Sequence, residues 1–199
     1  MKKMSVLLII LILSLGLVTA GGTQETLKIG GLLSFTGGLA PYGPPIFNVA
    51  ALGVKHINEA GGLLGGHQFV LVQKDTATAP AVGRDAAAKL IQIDRVLAII
   101  GALSSGVTFA SSSITIDNRI VLISPSSTST MITDLHDNDF VFRSVLSDAF
   151  QGVVQGRLAA GQLGYKSAAV IYVNNPYGKG LALIFSHSSQ IIRSFLFHK

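Results

Sequence analysis

Short apolar runs alternate with longer amphipathic segments along most of the chain. The apolar runs are typical of buried strands, and the segments between them carry apolar residues at helical spacing. The predicted strands are Lys28–Ser34, Gln68–Asp75, Val96–Leu103, Ile120–Pro125 and runs that begin at Phe140 and Ala168. The predicted helices span about 46–60, 84–93 and 148–163, and another begins near Val107. This alternation predicts an α/β fold with a parallel sheet covered on both faces, which is a three-layer sandwich.

Glycine and proline mark the ends of these elements. Gly61 and Gly62 predict the end of the first helix, and Gly164 predicts the end of the fourth. Pro80 suits the first turn of the second helix, because a proline there gives up no intrahelical hydrogen bond.

Three predicted strands end in segments rich in serine, threonine and glycine, which are 34–38, 104–108 and 124–128. In open parallel sheets, ligands bind beyond the carboxyl ends of the strands. Each segment precedes a predicted helix, whose first backbone N–H groups are unpaired and carry partial positive charge. Hydroxyls beside such N–H groups predict a site for a small carboxylate. The alternative is that these residues only cap helices and form turns.

The first twenty residues have the pattern of a secretory signal peptide. Lys2 and Lys3 precede an apolar run from Val6 to Val18, and Ala20 ends a stretch of short side chains. An uncleaved membrane anchor is the alternative, but thirteen helical residues span roughly 20 Å, less than a hydrocarbon core of about 30 Å. We therefore expect cleavage after Ala20 and a periplasmic or extracellular location for the mature chain.

Composition and charge exclude several classes of protein. The chain has 199 residues, 49% hydrophobic and 13% charged, which is unlike a disordered protein. It contains no cysteine, so disulfides and cysteine-ligated metals are excluded. The net charge is +5, yet eleven Lys and Arg face all ten acids between Gly21 and Ala182. That segment is nearly neutral and has no basic stripe, so we expect no nucleic-acid partner.

Catalytic motifs do not occur at the expected spacing. Ser105 lacks the surrounding glycines of a nucleophile elbow, and Lys179 lies outside any phosphate-loop pattern. The five histidines have no zinc-binding spacing, and the acidic run His136–Asp139 is typical of a solvated loop rather than a cation site. We therefore expect no enzymatic activity, cofactor or metal.

The chain resembles the extracellular branched-chain amino-acid-binding proteins, which have the type I periplasmic binding fold and serve ABC importers. The resemblance covers roughly residues 27 to 182 and rests on six ordered segments: KIGGLLSFTGGLAPYG, NEAGGLLGGHQFVLVQKD, IIGALSSGVT, ISPSSTST, FVFRSVLSDAFQG and VIYVNNPYGKGLA. It implies a two-lobed clamp, here with lobe 1 at 21–143 and the start of lobe 2 at 144–182. Residues 183–199 form a tail without the family's pattern.

The resemblance also implies the ligand-binding residues. In the first lobe, Ser105 and Thr128 match positions that hold the ligand's α-carboxylate, while the Ser126 backbone and the Thr128 side chain face its ammonium. Tyr42 matches an aromatic residue near the ligand side chain. In the second lobe, Asp148 and Tyr177 match positions that face the cleft. An N-cap role for Asp148, before the helix that follows it, is the alternative.

The implied function is that of an extracytoplasmic substrate-binding component of an amino-acid ABC transporter. The implied ligands are leucine, isoleucine or valine, and the implied partner is a membrane permease. Family members are roughly twice as long, so we expect a truncated or frame-shifted form, with a native short variant as the alternative. The other hypotheses are a non-binding, aggregation-prone fragment and a ligand-sensing ectodomain of the same fold for another small amino acid or amide.

Overall fold

The computed structural model describes residues 25–198, of which 192–198 are described by their backbone alone. The predicted signal peptide, residues 1–20, lies outside the described residues. Seven strands are described, β1 Leu27–Leu33, β2 Phe69–Asp75, β3 Ala98–Gly101, β4 Val121–Ser124, β5 Val141–Arg143, β6 Ala168–Val173 and β7 Ile192–His198. The helices are α1 Gly43–Glu59, α2 Pro80–Lys89, α3 Ser105–Asp117, α4 Thr130–Thr133, α5 Asp148–Arg157 and α6 Pro176–Ser189.

Five strands form an all-parallel sheet in the order β2-β1-β3-β4-β5. From β1 the chain runs to β2 at one edge and then returns past β1 to β3. Strand β1 therefore lies between β2 and β3, with Ile29 opposite Leu71 on one side and Ala98 on the other. Parallel strands require crossover connections, and the four connections of this sheet contain helices α1 to α4. The predicted α/β class and the parallel sheet are confirmed.

The main hydrophobic core lies between one face of this sheet and helices α2 and α3. Leu32, Ile99 and Leu122 are completely buried there, against Leu90 and Val107 from the helical side. These strands were recognisable from sequence because each is a short, nearly continuous apolar run. The same packing fixes the position of α3, whose first residue lies at the end of β3.

The opposite face of the sheet is covered unevenly. At β1, the Phe47 ring of α1 lies so close to Gly31 that a Cβ there would be 2.9 Å from it. At the other edge, Ile123 and Phe142 are paired in register and remain 41% and 45% exposed. Among the described residues, the expected double coverage therefore holds at β1 and β2 but not at β4 and β5.

Three helices differ from the sequence-based boundaries. Helix α1 begins at Gly43 rather than Ile46, because prolines are tolerated in a first turn whose N–H groups have no intrahelical partner. Helices α2 and α5 end earlier than predicted and continue into single π-helical turns, Leu90–Asp94 and Leu158–Gln162. The left-handed conformation of Arg95 ends the first of these turns.

A second, smaller unit contains α5, α6 and the parallel pair β6-β7. Helices α5 and α6 pack very closely, since a Cβ on Gly152 would be 2.5 Å from Ile184. The unit contacts the first where the Ser129 hydroxyl donates to the Pro176 carbonyl at 3.1 Å. The predicted tail contributes the end of α6 and β7. Within the described part of the chain, no helix combines the length and hydrophobicity needed to cross a membrane.

Candidate functional site

The carboxyl ends of β1, β3 and β4 meet at a cavity of about 650 Å³ between the sheet and the second unit. The hydroxyl-rich segments after these strands were predicted to lie together, and they do. Fourteen residues line the cavity, namely Gly38, Leu39, Tyr42, Ile46, Thr78, Leu103, Ser104, Ser105, Ser126, Thr128, Gln151, Val173, Asn175 and Tyr177. No charged side chain of the described residues is among them.

One wall of the cavity is the N-terminus of α3. Ser104 is its N-cap residue, and the Ser104 side chain accepts no capping hydrogen bond from the described helix. The buried Ser105 hydroxyl accepts a hydrogen bond from the Ser129 backbone N–H at 3.3 Å, which leaves its own proton free to donate. This wall therefore presents a hydroxyl donor beside the partial positive charge of the helix terminus.

The loop after β4 forms the adjacent wall and is fixed by hydroxyl groups. The Ser126 hydroxyl donates to the Leu103 carbonyl at 2.7 Å, and the Ser124 hydroxyl donates to the Ala102 carbonyl at 2.6 Å. The Thr108 and Ser127 hydroxyls are 2.8 Å apart. These bonds join the ends of β3 and β4 into one rigid edge. They also use the proton of the Ser126 hydroxyl, so its oxygen can act towards the cavity only as an acceptor.

Asp148 is fully buried behind Thr128 and is not among the lining residues. Neither of its carboxylate oxygens has a hydrogen bond of good geometry among the described residues. Burial raises the pKa of Asp148, although the nearby Thr128 hydroxyl and the Arg143 guanidinium favour the charged form and lower it. The N-cap role is wrong for Asp148, because α5 is capped by Ser147, whose hydroxyl accepts from the Ala149 N–H at 3.3 Å.

Tyr42 and Tyr177 bring aromatic rings to the cavity from the two units. Tyr42 immediately precedes α1 and is 60% exposed, while Tyr177 lies in the first turn of α6 and is 40% exposed. Asn175 caps α6 by accepting a hydrogen bond from the Gly178 N–H at 2.9 Å. Five of the six residues implied by resemblance thus line one cavity, and Asp148 lies behind it.

Several lining residues were not predicted from the sequence. Asn175 precedes a proline at the end of an apolar strand, and that capping signal could have indicated it. Thr78 follows β2 in a turn, and only the pairing of β2 with β1 brings it close to the segment that follows β1. Gln151 lies on α5, and no pattern distinguishes it from other polar helical residues.

The sequence of the chain is similar to those of known proteins. A family model described as "Periplasmic binding protein" matches residues 26–188, past Ala182, where the sequence resemblance was expected to end. The Leu/Ile/Val-binding protein homolog 2 of Brucella abortus is 32% identical over 167 residues, 83% of this chain and 44% of that protein. An amino acid binding protein of Pseudomonas aeruginosa is 33% identical over 74% of this chain and 39% of its own length.

Solved structures show the same fold. LivJ of Streptococcus pneumoniae, a branched-chain amino acid transporter substrate-binding protein in complex with isoleucine, superimposes with a TM-score of 0.76 at 30% identity. The superposition covers 87% of this chain and 50% of LivJ. The leucine-binding protein LivK of Thermotoga maritima gives a TM-score of 0.76 at 27% identity, over 87% of this chain and 49% of that one. The chain thus spans about half the length of these relatives.

Proposed function

The chain belongs to the periplasmic binding protein family, and from that premise we propose that it is the extracytoplasmic substrate-binding component of a branched-chain amino-acid ABC transporter. It captures leucine, isoleucine or valine and delivers the amino acid to a membrane permease. Residues 21–143 form its first lobe, residues 144–182 begin the second, and residues 1–20 direct export. Its relatives' names and the bound isoleucine of one of them support this ligand class.

The observation that carries the proposal is the neutral, hydroxyl-lined cavity at the N-terminus of α3. The Ser105 hydroxyl donates to the ligand's α-carboxylate, and the first N–H groups of α3 add the field of the helix terminus. Hydrogen bonds to a charged acceptor contribute about 1.5–3 kcal/mol each. This wall therefore anchors the anionic end of a zwitterion without a formal positive charge.

The opposite end of the ligand meets polar oxygen atoms and apolar side chains. The Ser126 backbone and the Thr128 hydroxyl accept from the ammonium. Asp148 lies behind Thr128. From there, the negative charge of its carboxylate attracts the ammonium group. The branched side chain packs among apolar lining groups, which are Leu39, Tyr42, Ile46 and Leu103. A neutral pocket of this kind suits a small amino acid with no net charge.

Calorimetric and NMR titrations of the full chain with L-leucine test the proposal. We expect saturable binding with a dissociation constant of about 1 mM or moderately lower. A constant of about 1 mM corresponds to a binding free energy of about −4.1 kcal/mol. Affinity is modest because Tyr42 and Tyr177 leave the cavity open to solvent. The carboxylate analogue 4-methylpentanoate should bind more weakly than leucine, and the amine analogue 3-methylbutylamine more weakly still.

Two results would contradict the proposal. The first is equal binding of the amine and the carboxylate analogue, because the α3 wall recognises an anion. The second is no leucine binding at about 10 mM, tenfold above the expected constant. That second result would instead favour the hypothesis of a non-binding fragment.

A further inference from the structure

Two segments beside the cavity are joined to each other by several hydrogen bonds. The β1 loop, residues 34–42, carries the lining residues Leu39 and Tyr42. The β2 turn, residues 75–79, carries the lining residue Thr78. The two segments are about forty residues apart in sequence, and β1 and β2 lie side by side in the sheet.

Asp75, the last residue of β2, is the centre of this junction. Its Oδ1 accepts from the Phe35 N–H at 2.8 Å, the Thr36 N–H at 3.2 Å and the Ala77 N–H at 2.9 Å. Its Oδ2 accepts from the Thr36 hydroxyl at 2.5 Å. One carboxylate therefore satisfies donors from both segments at once. Asp75 itself is not a lining residue.

Thr78 makes the second connection. Its hydroxyl accepts from the Leu39 N–H at 3.0 Å and donates to the Thr36 carbonyl at 3.2 Å. It thereby ties a lining residue of the β1 loop directly to the β2 turn. Behind this pair, the buried Ser34 and Thr76 hydroxyls are 2.9 Å apart.

The backbone at the junction adopts conformations that need such support. Ala77 and Thr78 have φ values of 48° and 57°, in the left-handed region that residues with a Cβ rarely occupy. Gly37, at φ +78°, approaches so closely that a Cβ would lie 2.1 Å from the Ala77 carbonyl oxygen. Strained conformations persist only where surrounding interactions hold them, and the bond from the Ala77 N–H to Asp75 is one of these.

The charge of Asp75 matters to this role. Partial burial is the largest single influence and would raise its pKa, but the four hydrogen bonds together outweigh it and hold the pKa below the ordinary value of 3.8. Asp75 is therefore an ionised acceptor at neutral pH. Hydrogen bonds to a charged acceptor are roughly twice as strong as neutral ones.

We propose that Asp75 is a positioning residue of the ligand site, which fixes Leu39 and Tyr42 against the cavity by holding the β1 loop on the β2 turn. The inference rests on the proposed function for its ligand, and it places Asp75 in control of side-chain recognition. The carboxylate anchor is at the N-terminus of α3, which follows β3, and makes no hydrogen bond to this junction among the described residues. Asp75 thus affects discrimination between large and small amino acids.

The test is Asp75→Asn in the full chain. The amide has the same shape, and its oxygen can still accept from the three N–H groups, but those bonds lose the negative charge of the acceptor. Its NH₂ group replaces Oδ2 and cannot accept from the Thr36 hydroxyl. We expect the affinity for L-leucine to fall about tenfold, within the range for hydrogen bonds to charged groups. Affinity for L-alanine, which lacks the branched side chain, should change by less than about twofold. NMR titration follows both ligands at millimolar concentrations.

Asp137→Asn is the matched control. Asp137 also holds a loop, accepting from the Asp139 N–H at 3.2 Å and the Val141 N–H at 3.1 Å, but it is not among the cavity residues. Its replacement should leave the ratio of leucine to alanine affinity unchanged. A parallel loss of both affinities in Asp75→Asn would overturn the proposal, since a purely structural role weakens every ligand alike.

Amide hydrogen exchange separates this proposal from the proposed function. Without any ligand, Asp75→Asn should accelerate exchange at Phe35, Thr36 and Leu39, whereas unchanged exchange would overturn the positioning role even if leucine binds. If wild type binds no leucine, the proposed function fails and the exchange result still decides the role of Asp75. Should Asp75→Asn not fold, Thr36→Val removes only the 2.5 Å bond and should shift exchange and leucine affinity in the same direction by less.

Discussion

Replacing Ser105 by alanine should weaken ligand binding and, separately, reduce stability. The change removes the one hydroxyl at the N-terminus of α3 that is buried, lines the cavity and has a free proton. A hydrogen bond to a carboxylate contributes about 1.5–3 kcal/mol, so the dissociation constant for L-leucine should rise about 10- to 150-fold. The Ser129 N–H also loses its acceptor, and an unsatisfied buried donor costs about 1–3 kcal/mol. Its 3.3 Å distance places the cost at the lower end.

Two measurements distinguish these effects. NMR titration with L-leucine gives the affinity of the folded population, and urea unfolding gives the free energy of unfolding. Ser112→Ala is the matched control, because Ser112 is a buried serine of the same helix whose hydroxyl donates to the Phe109 carbonyl at 2.8 Å, away from the cavity. It should lower stability by a comparable amount and leave affinity unchanged. Equal affinities of Ser105→Ala and wild type would remove Ser105 from the ligand site and refute the assignment of α3 as its anion anchor.

Two further predictions concern stability. Gly83→Ala places a Cβ 2.2 Å from the buried Val107 side chain, so it should lower the free energy of unfolding in urea by about 1–3 kcal/mol. Gly53→Ala has open space at its Cβ and should raise the free energy of unfolding by up to about 1 kcal/mol. Equal effects of the two substitutions would contradict the close packing of α2 on α3. Because burial raises the pKa of Asp148, the stability that its protonated form contributes is present below pH 3.8 and is lost as pH rises through the raised pKa. Asp148→Asn should therefore gain stability relative to wild type as pH rises from 3.8 through the raised pKa, and a pH-independent difference would show that the carboxylate is solvated.

Much of the fold could be predicted because its signals are local. Every predicted strand from 28 to 173 is present, since a short apolar run bounded by turn residues is a local signal that needs no distant information to be recognised. Helix boundaries were less accurate. Helix α5 stops at Arg157 and gives way to a π turn, a change that depends on how the segment packs rather than on its periodicity.

The candidate site was predictable in part. The hydroxyl-rich strand ends and the resemblance together indicated Tyr42, Ser105 and Thr128, and the cavity contains all three. Asp75 passed unnoticed as the end of a strand. Its significance comes from donors at Phe35 and Thr36, which are brought to it by the pairing of β1 with β2.

The sequence alone determined the alternation of strands and helices, the parallel sheet and the concentration of hydroxyl groups at its carboxyl edge. Only the tertiary structure decided what each hydroxyl does. Ser105 keeps a proton for the cavity, while Ser126 donates to the Leu103 carbonyl and Asp148 is buried behind Thr128. The physical reason is that strand formation follows local periodicity, whereas a hydrogen-bond partner is chosen by distances between residues far apart in the chain.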